Sequence, residues 1–503
     1  MIAPIVWLIT LALHATTAHR YGYFRDELYF IACGRHLAWG YVDQPPLVAL
    51  AAWLATPFHH DLLALRALPM LAAATAAGLA VRIAGELGAG RYGRWCAGIA
   101  VALLPAYLLL GNTLTTTSFE ALSWMLVVWC TIRIVRGGDA ALWWLALAAS
   151  VAFGLYGKYS MALLVAALFV GLVTTRERRA LRTAWFGIAV VVALLLIAPN
   201  LWWQATHGFP MIEVLFGDAA HRHALNSGVA LEYGNLWRNT VAFTIEQFVY
   251  TNPLIAVLWI AGLIAPFATT RLRDMRFVSV ASIALYLAAA ALGAKGYYVI
   301  GMYGPLIAIG AVALDAAKAW IRVALLAGIA AVGVASMPLS IPVLPLPAFL
   351  RYSQLLGLTG SPPKLVQPVY AEEFGWHRLA RDVARIYNGL PPAQRIRTAV
   401  YADTYADAGA IDMFGAGYGL PHAIGSQNSY YLWGTRGYDG RSLIAIGATR
   451  IDRLRRYYRS VRLVATSDEP LKWVVEGPDP IYLCTDPIAP LPAIWPHLRW
   501  YGA

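Results

Sequence analysis

The sequence predicts a polytopic α-helical membrane protein of about eleven transmembrane helices, followed by a C-terminal extracytoplasmic α/β domain. Three observations predict this class. Of the 503 residues, 59% are hydrophobic and only 13% are charged, where a soluble domain carries about 25% charge; the mean hydropathy is +0.57. Apolar runs of membrane-crossing length recur through the first two thirds of the chain. Beyond Met337 these runs stop, and a proline-rich passage gives way to alternating strand-like and helix-like patterns.

A transmembrane helix needs about 20 mostly apolar residues. That rule places spans near residues 1–18, 66–84, 94–112, 116–134, 140–156, 158–174, 183–200, 251–269, 277–294, 298–314 and 320–337. The first run has no basic segment ahead of it and leads straight into an acidic loop, so it reads as a retained signal anchor. With the amino terminus in the cytoplasm, the inner links receive Arg91 and Arg94, Arg133 and Arg136, Arg176 through Arg182, Arg271 through Arg276, and Lys318 with Arg322. Every basic link then falls inside, as the positive-inside rule demands. The outer face receives the loop 19–65, residues 112–117, the Lys158-Tyr159 corner, a long loop over 201–250, the Lys295-Gly296-Tyr297-Tyr298 corner and everything after 337.

The net charge of +12 therefore belongs to membrane topology, and nucleic-acid binding is a poor reading of it. Cys33, Cys96, Cys130 and Cys484 are scattered, which indicates neither a disulfide framework nor a cysteine metal site.

Within the first outer loop, Asp26 to Trp39 has helical periodicity and 47–57 is an apolar stretch too short to span. Both suit helices lying in the interface. Trp202 and Trp203 add to an aromatic belt. After a linker over 338–368, residues 369–503 carry expected strands at 397–402, 442–448, 460–465 and 480–484. Helical patterns at 373–388, 404–414 and 450–458 alternate with them.

The first outer loop is the chemical centre of the chain. Carboxylates beside a bilayer are costly unless they bind something or do chemistry, and this loop holds Asp26-Glu27 and Asp43. A carboxylate in such a place can take a proton from an incoming hydroxyl, since apolar surroundings and a neighbouring acid raise its basicity. The plainer alternative is a helix start, with Asp as cap and Glu in the first turn. Asp43-Gln44-Pro45-Pro46 sets a second acid on a turn stiffened by two prolines, or is an ordinary Asp-initiated turn. Lys295, with Tyr297 and Tyr298, sits where the charge rule disfavours a lysine. Such a group can hold an anionic headgroup or snorkel, and Lys158-Tyr159 carries the same two readings.

Glu120 is an acid just inside a span, hence a functional candidate. His207, Glu213, Asp218, His221, Arg222 and His223 have ligand types suited to a metal, although His-Arg-His in a solvated loop is more often polar surface. Glu372, Glu373, Asp403, Asp407 and Asp412 read as surface or cap residues. No phosphate loop, dinucleotide fingerprint or nucleophile elbow is present, which argues against an ATP or nucleotide-sugar enzyme.

Four motifs, in this order, carry a resemblance: Asp26-Glu27-Leu28-Tyr29-Phe30, Gly40-Tyr41-Val42-Asp43-Gln44-Pro45-Pro46-Leu47, Pro199-Asn200-Leu201-Trp202-Trp203-Gln204 and Lys295-Gly296-Tyr297-Tyr298. The chain resembles the lipid-linked-sugar glycosyltransferases of the C-type fold, family 39-like, which include protein O-mannosyltransferases and the bacterial aminoarabinose transferases. The resemblance implies transfer of a hexosyl or pentosyl group from a polyprenyl (undecaprenyl) monophosphate carrier to a hydroxyl of an envelope glycan, lipid or protein. Transfer would proceed with inversion, on the periplasmic face of a bacterial inner membrane. It implies Asp26 as general base, with Glu27 and Asp43 positioning acceptor or sugar. Lys295, Tyr298, Tyr297, Lys158, Tyr41 and Tyr29 would contact the donor phosphate or lipid, and Glu120, Gln44 and Trp203 the acceptor or sugar. No certain cofactor is implied, and a divalent metal is allowed. Two departures stand out: the aminoarabinose enzymes have Lys where this chain has Gln44, and Arg where it has Tyr29. Residues 1–337 would form the glycosyltransferase domain.

The alternative is a transporter or flippase of lipid-linked saccharides. Transporters favour midplane ionisable groups and inverted repeats, whereas here the acids gather at one mouth and no repeat is evident. A third reading, in which the outer domain alone is active, lacks a catalytic motif to support it.

Overall fold

The structure, a computed structural model, describes residues 1–215, 236–292, 294–358, 368–447, 451–472 and 478–502. The chain divides into two compact units, residues 1–19, 63–203 and 221–343 forming the first and residues 20–62, 204–220 and 344–503 the second.

The first unit is helical, and every apolar run expected to span is a helix or a broken helix. Among the described residues, six helices are long and apolar enough to cross a bilayer, or eight if each of two bent pairs is one span. The expected eleven is not reached by that measure, because helices such as Ile2–Thr17 and Met161–Thr174 are apolar but short.

Both bends have local causes. Leu104 is extended ahead of Pro105, the conformation a following proline favours, and the axis turns 60° between Arg91–Ala102 and Pro105–Gly111. At the second bend Asn252 adopts a left-handed φ of 68° before Pro253, caps the next helix through Leu254 N at 3.0 Å, and the axis turns 109°.

Small residues bring helices together in this unit. A Cβ on Gly262 would overlap the carbonyl of Leu306, and one on Gly310 that of Leu258, so Pro253–Ala268 and Tyr303–Leu314 touch backbone to backbone. The basic links also meet. Arg136 donates to Asp274 at 2.7 Å, Arg271 to the Gly88 carbonyl, Arg322 to the Asp315 carbonyl, and Asp315 accepts from Gly90 N at 2.6 Å. These contacts bring the links together.

The second unit holds a five-stranded sheet of order β2-β1-β3-β5-β4. Its strands are β1 (Thr398–Ala402), β2 (Ile424–Gly425), β3 (Ser442–Ile446), β4 (Tyr458–Ser467) and β5 (Asp479–Pro487). Strands β2, β1 and β3 are parallel, and β5 and β4 continue the sheet antiparallel. Every residue of β1 and β3 is buried, the pattern of central parallel strands covered on both faces. Four of the strands coincide with expected runs. The two-residue β2 has too little sequence to carry a period.

Two helices of the acidic loop belong to this unit: α1 (Arg25–Arg35) and α2 (Leu47–Leu54). Helix α1 ends four residues short of Trp39, because His36 leaves helical geometry at φ −125°, ψ 56°. Leu50, Trp53 and Leu54 are exposed on α2, an apolar face suited to an interfacial helix. Helix α1 is flanked closely on two sides. A Cβ on Gly34 would stand 2.9 Å from Trp53 N, and one on Gly409 of α3 (Tyr405–Phe414) 2.8 Å from the Leu28 carbonyl carbon. Part of the expected linker is itself ordered: Leu346–Leu355 is a helix whose buried Phe349 meets the Tyr370 ring edge-on.

Four acids read as surface or cap residues, Glu373, Asp403, Asp407 and Asp412, are buried. Glu373 accepts from Gly22 N at 3.2 Å, Asp403 lies at the end of β1, and Asp412 accepts from Ala423 N at 2.8 Å and the Tyr430 hydroxyl at 2.9 Å. Asp407 lies in the first turn of α3, where Thr404 is the cap, accepting from Asp407 N at 3.1 Å and donating to its Oδ2 at 2.8 Å.

Candidate active site

In the second unit, Phe24 is extended and starts α1, whose first turn carries Asp26 and Glu27. Their side chains do different things. Glu27 is fully buried and accepts from Phe24 N at 2.9 Å, satisfying that donor at the start of α1. Asp26 keeps 30% of its side-chain surface exposed, enough to meet a ligand. Its Oδ1 accepts from the Tyr405 hydroxyl at 2.8 Å, and the Arg25 guanidinium lies 3.5 Å from the same oxygen. Arg25 also donates to the Tyr405 oxygen at 2.8 Å and pairs with Glu372 at 3.3 Å.

Asp43 joins this cluster through a second phenol. Tyr29 donates to its Oδ1 at 2.8 Å, and Asn428 Nδ2 to its Oδ2 at 3.0 Å. Burial pushes the Asp43 carboxyl up to about 7, with the Asp26 charge adding to the rise and the two donated hydrogen bonds opposing it. The Tyr29 and Tyr405 rings lie 4.8 Å apart, and burial holds both phenols well above their ordinary range. They serve as neutral donors to the two carboxylates.

Tyr41 and Gln44 are buried rather than presented. The Tyr41 hydroxyl donates to the Cys33 carbonyl at 3.0 Å and accepts from Ala38 N at 3.2 Å, bracing the end of α1. Gln44 Nε2 lies 3.4 Å from Cys33 Sγ.

In the first unit a separate cluster gathers four more of the candidate residues. Lys158 donates to Thr117 at 2.9 Å, lies 3.5 Å from Glu120, and sits over the rings of Tyr297 and Tyr298 at 4.9 and 4.8 Å. Glu120 is buried and accepts from Ser160 at 2.6 Å, so it is the counter-ion of Lys158. Lys295 is half-buried and starts the turn Gly296–Met302, its carbonyl accepting from Tyr298 N at 3.0 Å. Gln247 fastens the same turn by donating to the Gly296 carbonyl at 3.2 Å. Trp203 is half-buried on the helix Ala184–Thr206.

The residues read as a metal cluster stay apart where they are described. Glu213 pairs with Arg499 at 3.2 Å and His207 lies 3.2 Å from Thr206 Oγ1, while Asp218, His221, Arg222 and His223 lie outside the described residues. Among the described residues no group of three His, Cys, Asp or Glu side chains is arranged to hold a metal ion.

The arrangement was compared with known proteins. Residues 43–203 match the family described as dolichyl-phosphate-mannose-protein mannosyltransferase. ArnT from Cupriavidus metallidurans, solved bound to undecaprenyl phosphate, superposes with a TM-score of 0.60 at 15% identity, covering 96% of each chain. Its apo form superposes at 0.58, again over 96% of each chain and at 15% identity. The chain has a C-type fold like that of ArnT. No curated protein matches its sequence.

Within this C-type fold, the family match spans Asp43, Gln44, Glu120, Lys158 and Trp203. Asp26 and Lys295 lie outside it. Sequence reasoning passed over Tyr405 and Asn428, which touch the two acids from 379 and 385 residues away. One local sign marks Asn428: it adopts a left-handed φ of 49°, which Asn tolerates better than most residues.

Proposed function

We propose that this protein transfers a sugar from a polyprenyl-monophosphate carrier to a hydroxyl acceptor, with inversion, on the outer face of the membrane. The observation that carries the reading is Asp26, a partly exposed carboxylate whose Oδ1 is held by Tyr405 and Arg25. An acid fixed through one oxygen and accessible at its surface is suited to receive a proton. The likeness to ArnT, solved with undecaprenyl phosphate, supports a polyprenyl-phosphate donor.

In this reading, Asp26 takes the proton of the acceptor hydroxyl as that oxygen attacks the anomeric carbon. The bond from that carbon to the carrier phosphate breaks on the opposite side, and the phosphate leaves with the electron pair. Proximity and electrostatic stabilisation of the leaving phosphate supply most of the acceleration. Lys295, with Tyr297 and Tyr298 beside it in sequence, is assigned to that phosphate by the resemblance to the lipid-linked-sugar glycosyltransferases. Asp43 keeps Tyr29 in place and adds its charge to the acidic cluster.

The test is mass spectrometry of lipid-linked sugars and envelope glycans in cells lacking the gene, complemented by wild type or by Asp26→Asn. The expected result is that one polyprenyl-phosphate sugar accumulates and one glycan loses a residue, and that only wild type restores both. Restoration by Asp26→Asn would remove the base. Unchanged pools, with saccharide movement across liposomes and no covalent product, would favour a transporter.

A further inference from the structure

The three parallel strands of the sheet end on one edge, and the residues just past two of them reach the acidic loop. Tyr405 lies three residues beyond β1, and Asn428 three beyond β2. Both are locked in place from behind. Tyr405 N donates to Gln427 Oε1 at 2.7 Å, Gln427 Nε2 donates to the Gly502 carbonyl at 2.9 Å, and Gly502 N donates to Asn428 Oδ1 at 3.0 Å. With its oxygen taken, the Asn428 amide can offer Asp43 only its nitrogen.

The phenols are oriented by the same logic. A guanidinium has donors and no acceptor, so the Tyr405 oxygen must accept from Arg25 and turn its own proton to Asp26. A backbone N–H is likewise only a donor, so the Tyr29 oxygen accepts from Ser429 N at 3.2 Å and gives its proton to Asp43. Each carboxylate thus receives one phenolic proton whose direction is set by a group that cannot accept.

We propose that the carboxyl edge of the C-terminal sheet is part of the catalytic apparatus, Tyr405 being a positioning residue for Asp26 and Asn428 one for Asp43. The inference rests on the reading of Asp26 as base. Tyr405 fixes Oδ1, which leaves Oδ2 to meet the acceptor hydroxyl, and a base held through one oxygen loses little orientation at the moment of transfer. The outer domain then has a chemical task rather than a covering one.

The test uses the full-length protein in membranes from cells lacking the gene, with Tyr405→Phe, Tyr401→Phe and Asp26→Asn beside wild type. Tyr401 is the control, a buried phenol of the same sheet whose hydroxyl bonds Ser426 at 2.7 Å. Three quantities are read: consumption of the polyprenyl-phosphate sugar that wild type consumes, affinity for undecaprenyl phosphate, and unfolding temperature. Tyr405→Phe should slow transfer about ten- to hundredfold, the worth of a hydrogen bond to a charged group. Its affinity for undecaprenyl phosphate should stay within about twofold, since the bond it loses is to the base. Tyr401→Phe should transfer like wild type.

Wild-type rates in Tyr405→Phe with a dead Asp26→Asn would overturn the positioning role and leave the base standing. Equal losses in both phenylalanine variants, in step with their unfolding temperatures, would overturn it as mere structure. An active Asp26→Asn would overturn the base and this inference together. Should Tyr405→Phe not accumulate, Arg25→Gln keeps the phenol but frees its proton to turn, and the same slowing is expected.

Discussion

Asp43 shows how much one side chain reveals about conditions as well as chemistry. Burial holds its carboxyl at about 7, above the value of 3.8 for the free side chain. Below pH 4 the folded and unfolded chains both keep this proton, between 4 and 7 only the folded chain does, and above 7 neither does. Asp43 therefore lowers stability progressively as pH rises from 4 to 7, and by a constant amount beyond. Asp43→Asn should unfold at a higher temperature than wild type at pH 8, with the gap closing toward pH 4, in thermal unfolding of the detergent-solubilised protein. At this scale the sequence was half legible. Asp26 and Asp43 stood out because acids beside lipid need a reason, whereas Tyr405 and Asn428 acquire their meaning only from tertiary contact, which no spacing within the chain encodes. Tyr41 and Gln44 belong to the conspicuous turn but are buried in it.

At the scale of elements, α1 is held by what its neighbours lack. Gly34 stands where a methyl would press on Trp53 N and, at 3.0 Å, on the Ala49 carbonyl, both of them backbone atoms of α2 that cannot swing aside. Gly34→Ala should cost about 1–3 kcal/mol, seen as a lower unfolding temperature, and should slow transfer by shifting Asp26. Gly262→Leu should be more severe in the first unit, because two helix backbones would have to part, and we expect little folded protein on size-exclusion chromatography. Helices and strands were largely legible, since β1 and β3 read as short apolar runs and the spans as long ones. Ends were less so: a 3.6-residue period continues past Arg35, but His36 breaks the helix through backbone geometry that the period does not report.

At the scale of the molecule, the second unit is assembled from segments far apart in sequence, residues 20–62 with 344–503 and a short piece between. The C-terminal domain is therefore incomplete without the acidic loop. A fragment of residues 344–503 would bare the face of α3 where Gly409 meets Leu28, together with Tyr405 and Asn428. It should aggregate or melt without a cooperative transition, while the same fragment fused to residues 20–62 by a flexible linker should melt cooperatively by circular dichroism. The change of composition after Met337 made two regions legible. The sharing of the second with the acidic loop was not, because composition reports where a segment is apolar and not which distant segment covers it.

That sharing sets the order in which the molecule becomes competent. Asp26 and Asp43 emerge early in synthesis, and the groups that hold them, Tyr405 and Asn428, emerge only after every membrane helix has been made. Until then Asp26 lacks the Tyr405 hydroxyl and Asp43 the Asn428 amide. Under the proposed function, a nascent chain stalled between Met337 and β2 would have its membrane helices made but lack the groups that orient both acids, so transfer should await completion of the chain.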